Sequence, residues 1–305
     1  MKIYFAPLEG ITTYIFRNAY NGIYGHIDKY FAPFITPSEK CPMAPRERKD
    51  IIPENNSGIN LVPQILTNRS AHFIEASKEL RAMGYNEVNL NLGCPSGTVC
   101  AKRMGAGFLP ETSALQSFLD DIFSFAESAD LKISIKTRIG YADPEEFYKL
   151  LDIFNAFPVS ELIVHPRIRS DFYKGEPRKE YFAYALEHSN CPVIYNGNIF
   201  TCDDIDGSSD TIMLGRGLIS DPSLADKLKG LATKTDVAKF KKLHDTVYQR
   251  YKKILSPDIN VLYKMRELWT YWQSLFEGKE REIKHLMKAK KCAEYEEFAN
   301  QILLT

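Results

Sequence analysis

Apolar residues along this chain keep two rhythms in turn. Short runs rich in β-branched and aromatic residues recur at Ile3–Ala6, Lys29–Ile35, Asn60–Ile65, Glu87–Leu92, Lys132–Arg138, Glu161–His165, Val193–Tyr195 and Thr211–Leu214. Their length and composition predict strands. Between most of them, apolar positions fall three and four apart, at Thr13–Tyr20, Ala71–Met83, Ser113–Ala126, Pro144–Ala156 and Pro177–His188. That spacing puts them on one buried helix face. Asn68 and Asp143 stand at cap positions, and two of these stretches open on proline, which suits a first helical turn.

Eight strands alternating with helices predict an α/β fold, a (β/α)8 TIM barrel, over residues 1–230. A doubly wound sheet would want a G-x-G-x-x-G turn after its first strand, and Pro7-Leu8-Glu9-Gly10 does not provide one. After Asp221-Pro222 the pattern is purely helical, with Thr235–Lys253, Ile259–Phe276, Glu280–Ala289 and Tyr295–Leu304 as helices. Residues 231–305 are therefore expected to form a small C-terminal helical bundle. Trp269 and Tyr271 are expected in its core.

In a barrel, chemistry gathers where strands end at the C-terminal face. Polar residues close nearly every strand there. The first ends in Pro7-Leu8-Glu9, the third in Gln64, the fourth in Asn91 and Cys94. The fifth ends in Lys136 and Arg138, the sixth in His165 and Arg167, the seventh in Asn196-Gly197-Asn198, the eighth in Gly215-Arg216. Singly, each has a plain structural explanation: a solvated lysine, a satisfied histidine, an Asn-Gly turn. Together they would need one coincidence per strand. Backbone N–H groups after the last two strands, with Arg216, suit a phosphate. Gln64 can both donate to and accept from the edge of a heterocycle, and a cation at Lys136 suits a ring that becomes anionic.

The stretch Val88–Leu109 is the most distinctive. It runs as an alternating strand into Gly93-Cys94-Pro95-Ser96-Gly97, which breaks it and leaves a thiol on a rigid strand end. Gly-Cys-Pro alone favours a small buried hydrophobe at a tight turn. The longer spacing Asn91-x-Gly93-Cys94-Pro95, then Val99, then Gly105-Ala106 resembles the signature of the tRNA-dihydrouridine synthases. The resemblance implies that Cys94 is the acid that protonates C5 of a uracil while hydride passes from a flavin to C6. It implies FMN held by the Pro7-Leu8-Glu9 turn, Gln64, Lys136, His165, the Asn-Gly pair and the Gly-Arg pair, with NADPH (or NADH) as reductant. It also implies a C-terminal helical domain that helps clamp tRNA.

Asn91, Lys136, Arg138 and His165 are then candidates to orient the uracil, Arg167 a further substrate contact, and Lys264 and Arg266 candidates to contact tRNA phosphates. The basic loop Thr36–Pro53, with Lys40, Arg46, Arg48 and Lys49, lies in sequence beside the expected mouth and is a candidate phosphate contact, but a solvated loop is the favoured reading. Two rivals remain at this level: an FMN barrel acting on a small molecule, and a tRNA-binding protein without chemistry.

Charge sharpens the picture. The 305 residues carry 39 Lys+Arg and 39 Asp+Glu. Residues 231–305 hold 15 basic and 10 acidic residues, net +5, which leaves the rest at −5. A basic tail on an acidic body suits a polyanionic partner. No apolar run approaches a membrane span, and MKIYFAPLEG enters a strand directly, so a cytoplasmic protein is expected. The six cysteines show no C-x-x-C pair or metal-ligand spacing and are read as free thiols, with no metal. Nothing demands a protein partner, and a monomer is expected.

Overall fold

The computed structural model describes residues 1–205, 207 and 209–304. They divide into two compact units. The first comprises residues 1–7, 28–198 and the run ending at Met213; the second comprises 8–27, 199–205 and the run that begins at Leu214.

The first unit is built on strands β1 Lys2–Phe5, β2 Lys29–Phe31, β3 Leu61–Val62, β4 Gln64–Ile65, β5 Glu87–Leu92, β6 Lys132–Gly140, β7 Leu162–Ile168, β8 Val193–Tyr195 and β9 Thr211–Leu214. They form one sheet in the order β3-β2-β1-β9-β8-β7-β6-β5-β4. β3 and β4 are halves of one strand. Pro63 has no N–H to give to a ladder, and it separates them. The carbonyls of Val62 and Gln64 accept from Ala32 and Ile35 on one side, at 3.0 and 2.7 Å, while that of Pro63 accepts from Asn89 on the other, at 2.9 Å. Counting the two halves as one strand, the nine become eight, and the sheet closes on itself as a parallel TIM-like barrel.

Along β5 and β6, Val88, Leu90, Leu92, Ile133 and Ile135 are buried on one face, where the helices of this unit lie. Asn89, Asn91, Ser134 and Lys136 share the other, because side chains alternate along a strand. Two strands run further than their sequence pattern suggests. β6 continues to Gly140 past an irregularity between Arg138 and Gly140, and β7 runs through Pro166-Arg167 to Ile168. The segment expected as a loop over 36–53 contains the helix Pro45–Ile51, whose start Glu47 caps by accepting from Ala44 and Thr36 N–H at 2.9 and 3.1 Å.

The second unit contains the four expected C-terminal helices, Val237–Ile254, Asp258–Trp272, Glu280–Leu286 and Cys292–Leu303. It also takes in the helix Tyr14–Ile23 from the N-terminal part of the chain. Trp269 and Trp272 are fully buried, whereas Tyr271 is half-buried. Trp269 Nε1 donates to Tyr295 Oη at 2.8 Å, and His244 Nε2 lies 2.6 Å from the same oxygen, so the core of this unit has a polar centre.

Candidate active site

Cys94 follows β5 by two residues and is held by its backbone. Asn91 Oδ1 accepts from the N–H groups of Gly93 and Cys94 at 3.0 and 2.9 Å, an Asx turn that ends the strand. Ala106 N–H donates to the Cys94 carbonyl at 3.1 Å. Gly105, at φ +56°, lets the chain pass so close that a β-carbon there would lie 2.9 Å from that carbonyl and 3.1 Å from Val99 Cγ1. The spacing of Cys94, Val99 and Gly105-Ala106 is thus one packed turn. Burial pushes the half-buried thiol above its ordinary pKa, against a smaller opposite pull from a backbone hydrogen bond, so it stays protonated at neutral pH.

The next strand supplies charge. Lys136 is the register partner of Asn91. Solvent reaches part of its side chain, yet enough protein surrounds the ammonium to lower its pKa to about 7, with Arg138 pushing the same way. Among the described residues Nζ has no hydrogen-bond or ion-pair partner. Gln64 is fully buried and Asn91 nearly so, and their amides bond to each other at 2.7 Å.

Arg138 and Arg167 are both fully buried and spend most of their donors on backbone. Arg138 donates to the carbonyls of Gly93, Ile168 and Phe172 at 3.0, 2.8 and 2.6 Å. Arg167 donates to Lys174 O at 3.2 Å and to Gly175 O, and its Nη1 lies 3.0 Å from His165 Nε2. The loop after β7 is thereby tied to the Cys94 turn, with Arg178 and Asp171 paired inside it. It carries Phe172 and Tyr173, 42 and 51% exposed; the Arg138 guanidinium lies 5.5 Å from the Tyr173 ring centre, and the His165 ring 6.2 Å from it. Sequence reasoning passed over this loop. Its one signal is a pair of adjacent aromatics among arginines, Arg167 to Lys174.

After β8, Asn196 donates to Met213 O at 2.8 Å. Gly197 lies against the Tyr195 ring, and Asn198 follows it. Pro7 follows β1 in the same unit.

The remaining candidates belong to the second unit. Leu8 begins a closed turn in which its carbonyl accepts from Ile11 and Thr12 N–H at 3.1 and 3.0 Å, and Glu9 lies exposed within it. Gly215 precedes the short helix Arg216–Ser220, where Gly217 passes against the carbonyl of Ile199 too closely for any side chain. Lys264 Nζ donates to Gly10 O at 2.9 Å and lies 3.0 Å from Glu267 Oε2; Arg266 donates to Ala289 O. Both cations expected at phosphates are thus engaged inside their own unit. Among the described residues no group of His, Cys, Asp and Glu is arranged to hold a metal ion, and no helix is long and apolar enough to cross a membrane.

A thiol held protonated by burial and a lysine without a protein partner, both at the C-terminal ends of parallel strands, place the polar chemistry of this unit where α/β barrels carry their active sites. The particular kind follows from comparison. The family model described as Dihydrouridine synthase (Dus) matches residues 4–303, and the chain belongs to that family. It is 30% identical over 240 residues to a tRNA-dihydrouridine(16) synthase of Aquipseudomonas alcaligenes, covering 75% of each chain. It is 25% identical over 262 residues to a probable tRNA-dihydrouridine synthase of Staphylococcus epidermidis, covering 81% of this chain and 78% of that one. Among solved structures, an old yellow enzyme from Trypanosoma cruzi shares the fold, with a TM-score of 0.54 at 9% identity over 79% of this chain and 91% of that one. The protein is therefore an oxidoreductase that forms dihydrouridine in tRNA. The number in the first relative's name is a property of that relative. The family is generally FMN-dependent.

Proposed function

We propose that this chain reduces the C5=C6 bond of a tRNA uridine using FMN, with NADPH (or NADH) as reductant and Cys94 as the acid. The observation that carries the reading is the Lys136 ammonium, lowered to about 7 and without a protein partner beside a protonated thiol. A half-buried cation in that condition calls for an electron-rich group from outside the protein.

The residues fit a flavin. Gln64 keeps one N–H and one lone pair beyond the bonds it makes, and Asn91 keeps one N–H. Lys136 would face the electron-rich edge of the ring, with His165, Asn196, Gly197 and Asn198 as the remaining contacts within this unit. When bound, the flavin supplies the hydride that C6 of the uracil receives. Cys94 Sγ–H gives its proton to C5, and the thiolate left behind takes a proton back from solvent, so the ring gains two hydrogens. Burial of the thiol favours that recovery, because it raises the thiolate's proton affinity. Arg138 and Arg167 act by holding the Cys94 turn and His165 in place. A uridine inside folded tRNA must leave its stack to reach this point, at a cost of roughly a few kcal/mol.

The test is anaerobic incubation of the purified protein with NADPH and unmodified tRNA transcript, followed by mass mapping of nuclease fragments. A gain of two hydrogens at one uridine is expected. A yellow protein that oxidises NADPH in the presence of a small enone and leaves tRNA unchanged would overturn the substrate assignment. A protein that takes up no FMN would overturn the cofactor assignment.

A further inference from the structure

One layer below the thiol, Gln64 continues into two buried polar side chains, Asn89 and Ser134, that the reaction described so far does not use. Gln64, Asn89 and Ser134 are register partners on β4, β5 and β6, all fully buried. Asn89 Nδ2 donates to Ser134 Oγ at 2.9 Å, and Gln64 Nε2 donates to Asn89 Oδ1 at 2.6 Å. Asn91 Nδ2 then donates to Gln64 Oε1 at 2.7 Å, while Asn91 Oδ1 takes the N–H groups of Gly93 and Cys94.

The direction of this run is fixed from one end. Backbone N–H groups only donate, so the atom facing Gly93 and Cys94 must be the Asn91 oxygen. Its nitrogen therefore faces Gln64, whose oxygen must accept, and whose nitrogen in turn needs an acceptor. Asn89 Oδ1 is that acceptor. An amide has one donating end and one accepting end, so each turned amide would set donor against donor at the next. Inside a low-dielectric core that mismatch is costly, and aligned bonds reinforce one another.

We propose that Asn89 is a positioning residue for the reaction: by accepting from Gln64 Nε2 it locks the Gln64 amide in the orientation set from the Asn91 end, and so holds the order of donor and acceptor that is offered to the bound flavin. This rests on the reading of Gln64 as a flavin contact. Asn89 itself touches neither flavin nor uridine. What it secures is polarity, the order of donor and acceptor that Gln64 presents above it.

Two substitutions separate this role from packing. Asn89→Asp keeps an acceptor for Gln64, and the Ser134 hydroxyl turns to donate instead; the buried carboxylate lowers stability. Asn89→Leu keeps apolar packing but leaves Gln64 Nε2 without its acceptor. The experiment strips the flavin, measures FMN affinity by titrating the apoproteins, and measures their melting temperatures. For Asn89→Leu, FMN affinity is expected to fall about tenfold or more, the weight of a buried hydrogen bond left unmade. Asn89→Asp is expected to stay within about threefold of the parent even where it melts lower. Affinities that follow melting temperature across the set would overturn the proposal, as would parental affinity in a folded Asn89→Leu protein.

If Asn89→Leu does not fold, Ser134→Ala takes its place. It leaves Asn89 Nδ2 without its acceptor and so loosens the amide that Gln64 donates to, and a weaker loss of FMN affinity is expected; parental affinity there would overturn the proposal. If the parent itself takes up no FMN, the flavin reading fails separately. The polarity is then read by solvent exchange of the Gln64 side-chain amide protons in NMR. Protection lost in Asn89→Leu and kept in Asn89→Asp supports the proposal, and protection unchanged in both overturns it.

Discussion

At the scale of single residues, two titrations test the proposed chemistry. Cys94 is the proposed acid, and burial raises its pKa. Chemistry-limited turnover should therefore hold through neutral pH and fall only as pH rises past the ordinary thiol range of about 8.5. A pH profile of single-turnover dihydrouridine formation checks this, and loss beginning below neutrality would contradict it. Cys94→Ala should keep FMN and lose uridine reduction. Lys136 behaves in the opposite sense. Its folded pKa, about 7, lies below that of a lysine in the unfolded chain, so the unfolded chain binds this proton more tightly. The group's contribution to apoprotein stability accordingly rises as pH climbs from about 7 toward 10.4.

A flavin whose electron-rich edge favours the ammonium should take up a proton on binding. FMN affinity should then weaken by up to about tenfold per pH unit above 7. Titration of apoprotein at several pH values would show it, and Lys136→Met should flatten the dependence. These residue types were legible in the sequence, because polar side chains two apart at a strand end share a face. The partners of Lys264 and Arg266 were not. Whether a cation is spent on Gly10 O or Ala289 O depends on chain segments far away or on a turn of no sequence signature.

At the scale of elements, the loop Ile168–Arg178 is ordered by residues outside it. Arg138→Met would leave the carbonyls of Gly93, Ile168 and Phe172 short of a donor and cost about 3 kcal/mol. Denaturant unfolding should report that loss, and hydrogen exchange should quicken over 168–178 while the strands stay protected. Gly105→Ala forces a left-handed residue against the Cys94 carbonyl. It should cost about 1–2 kcal/mol and slow the reaction by moving the thiol. The strand–helix alternation could be read from periodicity, since each element buries one face. The loop could not, since its conformation is written in two arginines on β6 and β7 that the pattern marks only as strand ends. β7 running on to Ile168 has the same origin: a buried Arg167 is tolerated there because its donors are taken.

At the scale of the whole molecule, charge separates along the chain, with net +5 over residues 231–305 and −5 before them. Binding of tRNA should accordingly be salt-dependent. For three to four phosphate contacts, affinity should fall on the order of ten- to a hundredfold between about 50 and 200 mM salt. Filter binding at several salt concentrations gives the slope, and a flat one would remove phosphate contacts from recognition. The change to a helical pattern near residue 230 was visible in composition. The inclusion of Tyr14–Ile23 in the same compact unit as the C-terminal helices was not, because an amphipathic face shows that a helix is covered without naming what covers it.

The barrel's closure also has a price in time. β1 lies beside β9, so residues 2–5 wait for residues 211–214 before the ring has no edge. The split strand Leu61–Ile65 is made early, but its second neighbour and every later one emerge from the ribosome in turn. At about 5–20 residues per second, the nearly 150 residues between that strand and β9 take roughly 7 to 30 seconds to synthesise. Through that interval the nascent sheet exposes unpaired strand edges and the buried Gln64–Asn89–Ser134 layer. The last strand is therefore a lock on the folding of the first.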